Sequence, residues 1–211
     1  MSKKLNLTLE TISKTRLEAL SDGIFAIVVT LLVLELKIPE TSKDATNLEI
    51  WNELFHLFPK LLSWIVSFGI VIVIYLNHHR LFNQIRHISK TLFWINSYLL
   101  LCVSLIPFPT ALMGENPLNK LAVSFYGLVM TLMSFGFVFI RLYLIKNKNL
   151  LLKNINQNKF RKSIWQSFLL GPLIYLLAII LAWVNIYFAF ICFLFVPIYF
   201  MITGLNSKLK L

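Results

Sequence analysis

RLEALSDGIFAIVVTLLVLELKI, residues 16–38, decides the fold. A charged head of Arg16 and Glu18 leads into Ser21-Asp22-Gly23, and the apolar run that follows closes at Glu35 and Lys37. A helix of roughly 20 residues crosses the ~30 Å hydrocarbon core of a bilayer, so this stretch predicts a membrane span over 19–38. An aspartate at the mouth of such a helix is costly, because lipid offers a carboxylate no partner. It persists only where it pairs, caps a helix end or meets water, which makes Asp22 a candidate functional residue.

The rest of the chain has the same character. Of its 211 residues 58% are hydrophobic and 14% charged, with 18 phenylalanines, and its mean hydropathy is +0.76. Soluble domains carry about 25% charge. The predicted class is an all-α membrane protein with spans at about 19–38, 60–81, 91–113, 120–145, 163–184 and 186–205. Residues 1–18 form an N-terminal segment and 206–211 a short tail around the six-span body of 19–205. Trp183-Val184-Asn185-Ile186-Tyr187 divides the final apolar stretch in two, with aromatics at the interface level. The first 19 residues are polar, so no cleavable signal peptide is expected and the first run stays as an anchor. Cys102 and Cys192 sit alone in apolar segments and read as packing residues.

Basic residues divide unevenly between the two sides that six spans create. The side of the termini receives Lys3, Lys4, Lys14, Arg16, Arg80, Arg86 and Lys90. It also receives Arg141, Lys146, Lys148, Lys153, Lys159, Arg161, Lys162, Lys208 and Lys210. The other side receives only Lys37, Lys43, Lys60 and Lys120. The positive-inside rule then places both termini in the cytoplasm. The net charge of +11 reflects topology and attraction to anionic lipid, not nucleic-acid binding. Glu40, Asp44, Glu49, Glu53 and Glu115 fall on the outer side, with Glu35 near the boundary. Clustered about an axis they would concentrate cations; an ordinary solvated loop is the plainer account.

Gly23, Ile27, Thr30 and Leu34 are spaced four, three and four apart and share one helical face. Around an axis shared by several copies, Ile27 and Leu34 would form apolar rings and Thr30 a hydroxyl ring. Apolar constrictions gate by dewetting, and hydroxyls replace part of an ion's water shell. Spacing alone fits a packing or lipid-facing stripe better. Ser21 and Asp22 suit helix capping. A cap accounts less well for Arg16 and Asp22 flanking the same helix start. Asn77, His78, His79 and Arg80 close the second span, and Asn96 opens the third, all on the side of Asp22. An interhelical polar knot on Asp22 is therefore expected there. The adjacent histidines do not suit a metal, since i, i+1 neighbours point about 100° apart.

These residues resemble the bacterial members of the transmembrane protein 175 family of potassium channels. The resemblance rests on Arg16-x-x-x-Leu20-Ser21-Asp22, Asn77-His78-His79-x-x-Phe82, Trp94-Ile95-Asn96 and Pro107-Phe108-Pro109-Thr110. It covers residues 16–113, and the last three spans by hydropathy alone. It implies a homotetramer around four first spans that conducts cations, favouring potassium, without a Thr-Val-Gly-Tyr-Gly filter. It carries a constriction over to Ile27, Thr30 and Leu34, with Leu31 as neighbour. Leu20 stands where the signature has Phe, and Ala26 where some members have serine.

Pro107, Pro109, Pro172 and Pro197 should kink or end helices. Residues 146–162 lack apolar periodicity and read as a cytoplasmic linker. No nucleophile–base set or phosphate loop appears, so an enzyme is not expected. No cofactor is expected beyond potassium as permeant ion; the partners are copies of the chain and lipid. The competing reading is a secondary transporter or proton pathway using Asp22 with His78 or His79, although transporters place ionisable groups nearer mid-membrane.

Overall fold

The computed structural model describes residues 13–37, 45–153 and 155–208. Its helices are α1 (Lys14–Leu34), α2 (Asn47–His56), α3 (Phe58–Phe82), α4 (Lys90–Ser104), α5 (Pro107–Glu115), α6 (Lys120–Lys146), α7 (Gln157–Phe168), α8 (Ile174–Val184) and α9 (Ile186–Lys208). A 3-10 turn, Lys148–Leu150, follows α6, and a π turn, Leu169–Leu173, joins α7 to α8. Among the described residues six stretches are long and apolar enough to cross a membrane: α1, α3, α4 with α5, α6, α7 through α8, and α9. The architecture is the expected all-α one.

Local chemistry explains the breaks. Pro107 and Pro109 lack the N–H groups a continuous third span needs, so the helix stops at Ser104 and restarts at Pro107. Pro172 lies inside the π turn, whose wider winding lets the fifth span run on past it. Asn185 adopts an extended conformation (φ −152°, ψ 120°), and its side chain caps Tyr187 N at 3.0 Å. The carbonyl of Trp183, left open by that break, accepts from Lys120 Nζ at 3.0 Å.

Lipid tails are as apolar as leucine, so association of these helices rests on close packing and interhelical polar bonds. α6 is the hub, packing on α4, α5, α7, α8 and α9. It approaches α4 closely at Gly136, where an added Cβ would come within 2.9 Å of the Leu99 side chain. α1 packs on α3, α4 and α5, burying Leu17, Ser21, Phe25, Val28 and Leu32.

Three findings differ from the sequence reading. First, 146–162 is not a free linker. Leu150 and Leu151 are buried, and the segment pairs with the α3–α4 turn through Arg86 N to Leu150 O (2.7 Å) and Leu152 N to Gln84 O (3.0 Å). Lys14 Nζ donates to Ile85 O in that turn at 2.9 Å, so the start of α1 joins the same collar. Pairing between loops far apart in sequence leaves no periodic trace. Second, α7 begins at Gln157 rather than 163 because Asn156 Oδ1 accepts from the backbone of Asn158 and Lys159; its first turn is polar and hydropathy passes over it. Third, α2 was not expected. Thr46 and Glu49 form a reciprocal capping box at its start.

That box engages Glu49, and Glu115 pairs with Lys60 at 3.1 Å. The outer acids are thus partly committed to their own neighbours. Glu40 and Asp44 lie outside the described residues, as do Lys3, Lys4, Lys43 and Lys210.

Candidate functional site

α1 has two unlike faces. Leu17, Ser21, Phe25, Val28 and Leu32 are buried against the rest of the chain. Gly23, Ile27, Thr30, Leu31 and Leu34 point away from it, with Ile27 58% and Leu34 69% exposed. Beyond its chain neighbours and its own helix backbone, nothing lies within 4 Å of where a Gly23 Cβ would stand. The Thr30 hydroxyl donates to Ile27 O at 2.8 Å, with Ala26 O at 3.2 Å. With its proton held by the backbone, the oxygen presents lone pairs outward.

The inner face is fastened by a polar triad. His78 Nε2 donates to Asn96 Oδ1 at 2.8 Å, Asn96 Nδ2 donates to Ser21 Oγ at 3.1 Å, and Ser21 Oγ donates to Leu17 O at 2.9 Å. Ser21, His78 and Asn96 are all buried, and together they tie α1 to α3 and α4. The His78 ring stacks on Phe82 at 4.1 Å and lies 5.5 Å from the Phe25 ring.

The expected knot on Asp22 is corrected. Asp22 is exposed and makes no hydrogen bond among the described residues. Successive helical residues lie about 100° apart, so only one of Ser21 and Asp22 can face the body of the subunit. The neutral hydroxyl is buried there without the cost of an ionised carboxylate. His79 is exposed, its ring 6.4 Å from Tyr75. Asn77 accepts from Arg80 Nη1 at 3.5 Å within its own helix. Arg16 is exposed, and Trp94 is 70% exposed with its ring against Phe93.

The sequence reading missed a second buried polar cluster, toward the other side. Ser67 Oγ lies 3.1 Å from Tyr126 Oη and 3.0 Å from Thr110 Oγ1, and Thr110 donates to Ile106 O at 2.8 Å. This hydroxyl chain links α3, α5 and α6 and ends on a carbonyl at the proline break. Its signal was three lone hydroxyls in apolar helices, indistinct from single back-bonding residues. Among the described residues, no group of three or more His, Cys, Asp or Glu converges as a metal site would require.

The chain is similar to known proteins. The profile of the family described as the endosomal/lysosomal potassium channel TMEM175 matches residues 16–107. A potassium channel of Chamaesiphon minutus is 34% identical over 191 residues, covering 88% of this chain and 92% of that protein. The chain belongs to the TMEM175 family. A second TMEM175 relative, a potassium channel of Chryseobacterium sp., is 33% identical over 154 residues, or 72% of this chain and 77% of that protein. The crystal structure of a lysosomal potassium-selective TMEM175 homologue from Chamaesiphon minutus superposes with a TM-score of 0.78 at 29% identity, covering 90% of this chain and 97% of that one. The human relative, named an endosomal/lysosomal proton channel, is 30% identical over 120 residues, 53% of this chain and 24% of its own length. This TMEM175 chain is thus a multi-pass membrane protein of a channel family and not an enzyme.

Proposed function

We propose that the chain forms a potassium-favouring cation channel, four copies placing their α1 helices around a passive pore. The observation that carries this is the two-faced α1. One face is packed and anchored by Ser21, Asn96 and His78; the other, bearing Gly23, Ile27, Thr30, Leu31 and Leu34, is exposed. The relatives named potassium channels support the same reading. In the tetramer Ile27 and Leu34 form apolar rings that limit flow by dewetting, and the outward lone pairs of Thr30 replace part of a cation's water shell. The basic ends of the spans face the cytoplasm, and potassium is the permeant ion with no further cofactor.

A coupled transporter or proton pathway through Asp22 and His78 or His79 is less well supported, because Asp22 bonds to neither histidine. Flux into liposomes tests the channel reading: potassium, sodium and a proton indicator are followed for the wild type, Ile27→Asn and Thr30→Ala. Passive potassium flux that rises with Ile27→Asn and loses preference over sodium with Thr30→Ala is expected. No passive flux from intact oligomers, or flux indifferent to both changes, would refute it. Proton flux in place of potassium flux would align the chain with the relative named a proton channel.

A further inference from the structure

A cavity of about 50 Å³ lies between α3, α6, the π turn and α9. A water molecule needs roughly 10–15 Å³ on the same scale, so the space fits several waters or one phosphate-sized group. Its deep wall is apolar, formed by buried Ile74, Tyr175 and Val196. Toward the basic side the lining becomes half-buried Asn77, Arg141 and Phe200. Ser134 and Ser167 add hydroxyls that make no hydrogen bond among the described residues.

Arg141 is the unexplained group. It sits five residues before the end of α6 at Lys146, about 7.5 Å of helix at 1.5 Å per residue, the depth of lipid headgroups. Its guanidinium has no hydrogen bond or ion pair among the described residues; its company is the Phe137 ring, 5.9 Å from its Cζ. Arg80 is outside the lining but beside it, with Nη1 3.5 Å from both Asn77 Oδ1 and Phe200 O, the outer limit of a hydrogen bond. The ion pairs among the described residues, Lys14–Glu18 and Lys60–Glu115, lie elsewhere. Arg141 thus lines the cavity and Arg80 sits against its lining residues Asn77 and Phe200, and among the described residues no carboxylate pairs with either guanidinium. Guanidinium suits phosphate bidentately, and basic pockets between membrane helices on the cytoplasmic side recruit anionic lipid headgroups.

We propose that this cavity holds the phosphate of an anionic membrane lipid, with Arg141 as its principal partner and Arg80 at the rim. The site uses no residue of α1 and stands apart from the channel reading. The purified full-length protein is mixed with phosphatidylglycerol, phosphatidylcholine or inorganic phosphate. Lipid retention is read by native mass spectrometry and stability by thermal unfolding. Phosphatidylglycerol is expected to bind and stabilise, phosphatidylcholine and inorganic phosphate not. Arg141→Gln should weaken phosphatidylglycerol binding about tenfold, the scale of one charge-assisted hydrogen bond. Lys153→Gln, an exposed cation away from the cavity, should leave it unchanged. Val73→Phe fills the cavity while keeping Arg141, and carries the test if Arg141→Gln does not fold. Wild-type affinity in both cavity variants, or equal stabilisation by inorganic phosphate or phosphatidylcholine, would overturn the proposal.

Discussion

Asn96→Leu strikes the fastening of α1. Asn96 is fully buried and serves two partners, Ser21 Oγ at 3.1 Å and His78 Nε2 at 2.8 Å. Leucine is close in volume and removes both bonds. Ser21 survives, since its hydroxyl still donates to Leu17 O at 2.9 Å. His78 does not: its ring nitrogen stays in a site 2% exposed with its partner gone. One buried polar group left unmet costs about 1–3 kcal/mol, and the interhelical bond to Ser21 adds roughly 0.6 kcal/mol, the average for such bonds in a membrane bundle. The expected loss is about 1.5–3.5 kcal/mol. Adding His78→Phe removes the stranded nitrogen while keeping a ring to stack on Phe82, and should recover at least about 1 kcal/mol. Reversible unfolding in mixed micelles, followed by circular dichroism across the double-mutant cycle, measures both numbers. A single-mutant loss below about 0.5 kcal/mol, or strict additivity of the two changes, would refute the triad as the anchor of α1.

Asp22→Asn should change subunit stability by less than about 0.5 kcal/mol in the same unfolding measurement, as an exposed residue without hydrogen bonds does; a loss as large as that of Asn96→Leu would return Asp22 to the knot. Gly136→Ala should cost about 1–3 kcal/mol by pushing its new methyl onto Leu99, whereas Gly23→Ala, facing open space, should leave the unfolding midpoint of the subunit nearly unchanged. Glu49 accepts from Thr46 N at 2.7 Å and from the Thr46 hydroxyl at 3.0 Å, and these bonds hold its carboxyl below the ordinary 4.5. A lowered folded pKa gives stability that is present above 4.5 and lost as pH falls through the folded value. Amide exchange in the first turn of α2, corrected for its intrinsic pH dependence, should therefore accelerate on acidification in the wild type and show no such step in Glu49→Gln.

Hydropathy and proline placement made the six spans legible. The second, expected over 60–81, runs from Phe58 to Phe82, and the fourth, expected over 120–145, from Lys120 to Lys146. Bilayer thickness imposes length and apolarity on a span, and both are local properties of sequence. Polar pairing was legible only in part. His78, Asn96 and Ser21 were all among the candidates, yet the carboxylate of Asp22 drew the assignment that belongs to the hydroxyl beside it. Which of two adjacent residues faces inward depends on helix phase, set here by the packing of Leu17, Phe25 and Val28. The collar through Ile85 and Leu151 and the hydroxyl chain through Thr110 were illegible for a common reason: each joins segments distant in sequence through groups that look ordinary alone.

The collar bears on how the chain is made. α1 is synthesised before the other described spans, yet the Lys14 ammonium finds its acceptor 71 residues later, at Ile85. That acceptor's turn is in turn braced by Leu150 and Leu152, beyond α6. A nascent chain can insert α1 early but can seat it fully only after four spans have entered the bilayer. Until then its first turn is untethered, so the start of α1 settles only against a nearly completed bundle.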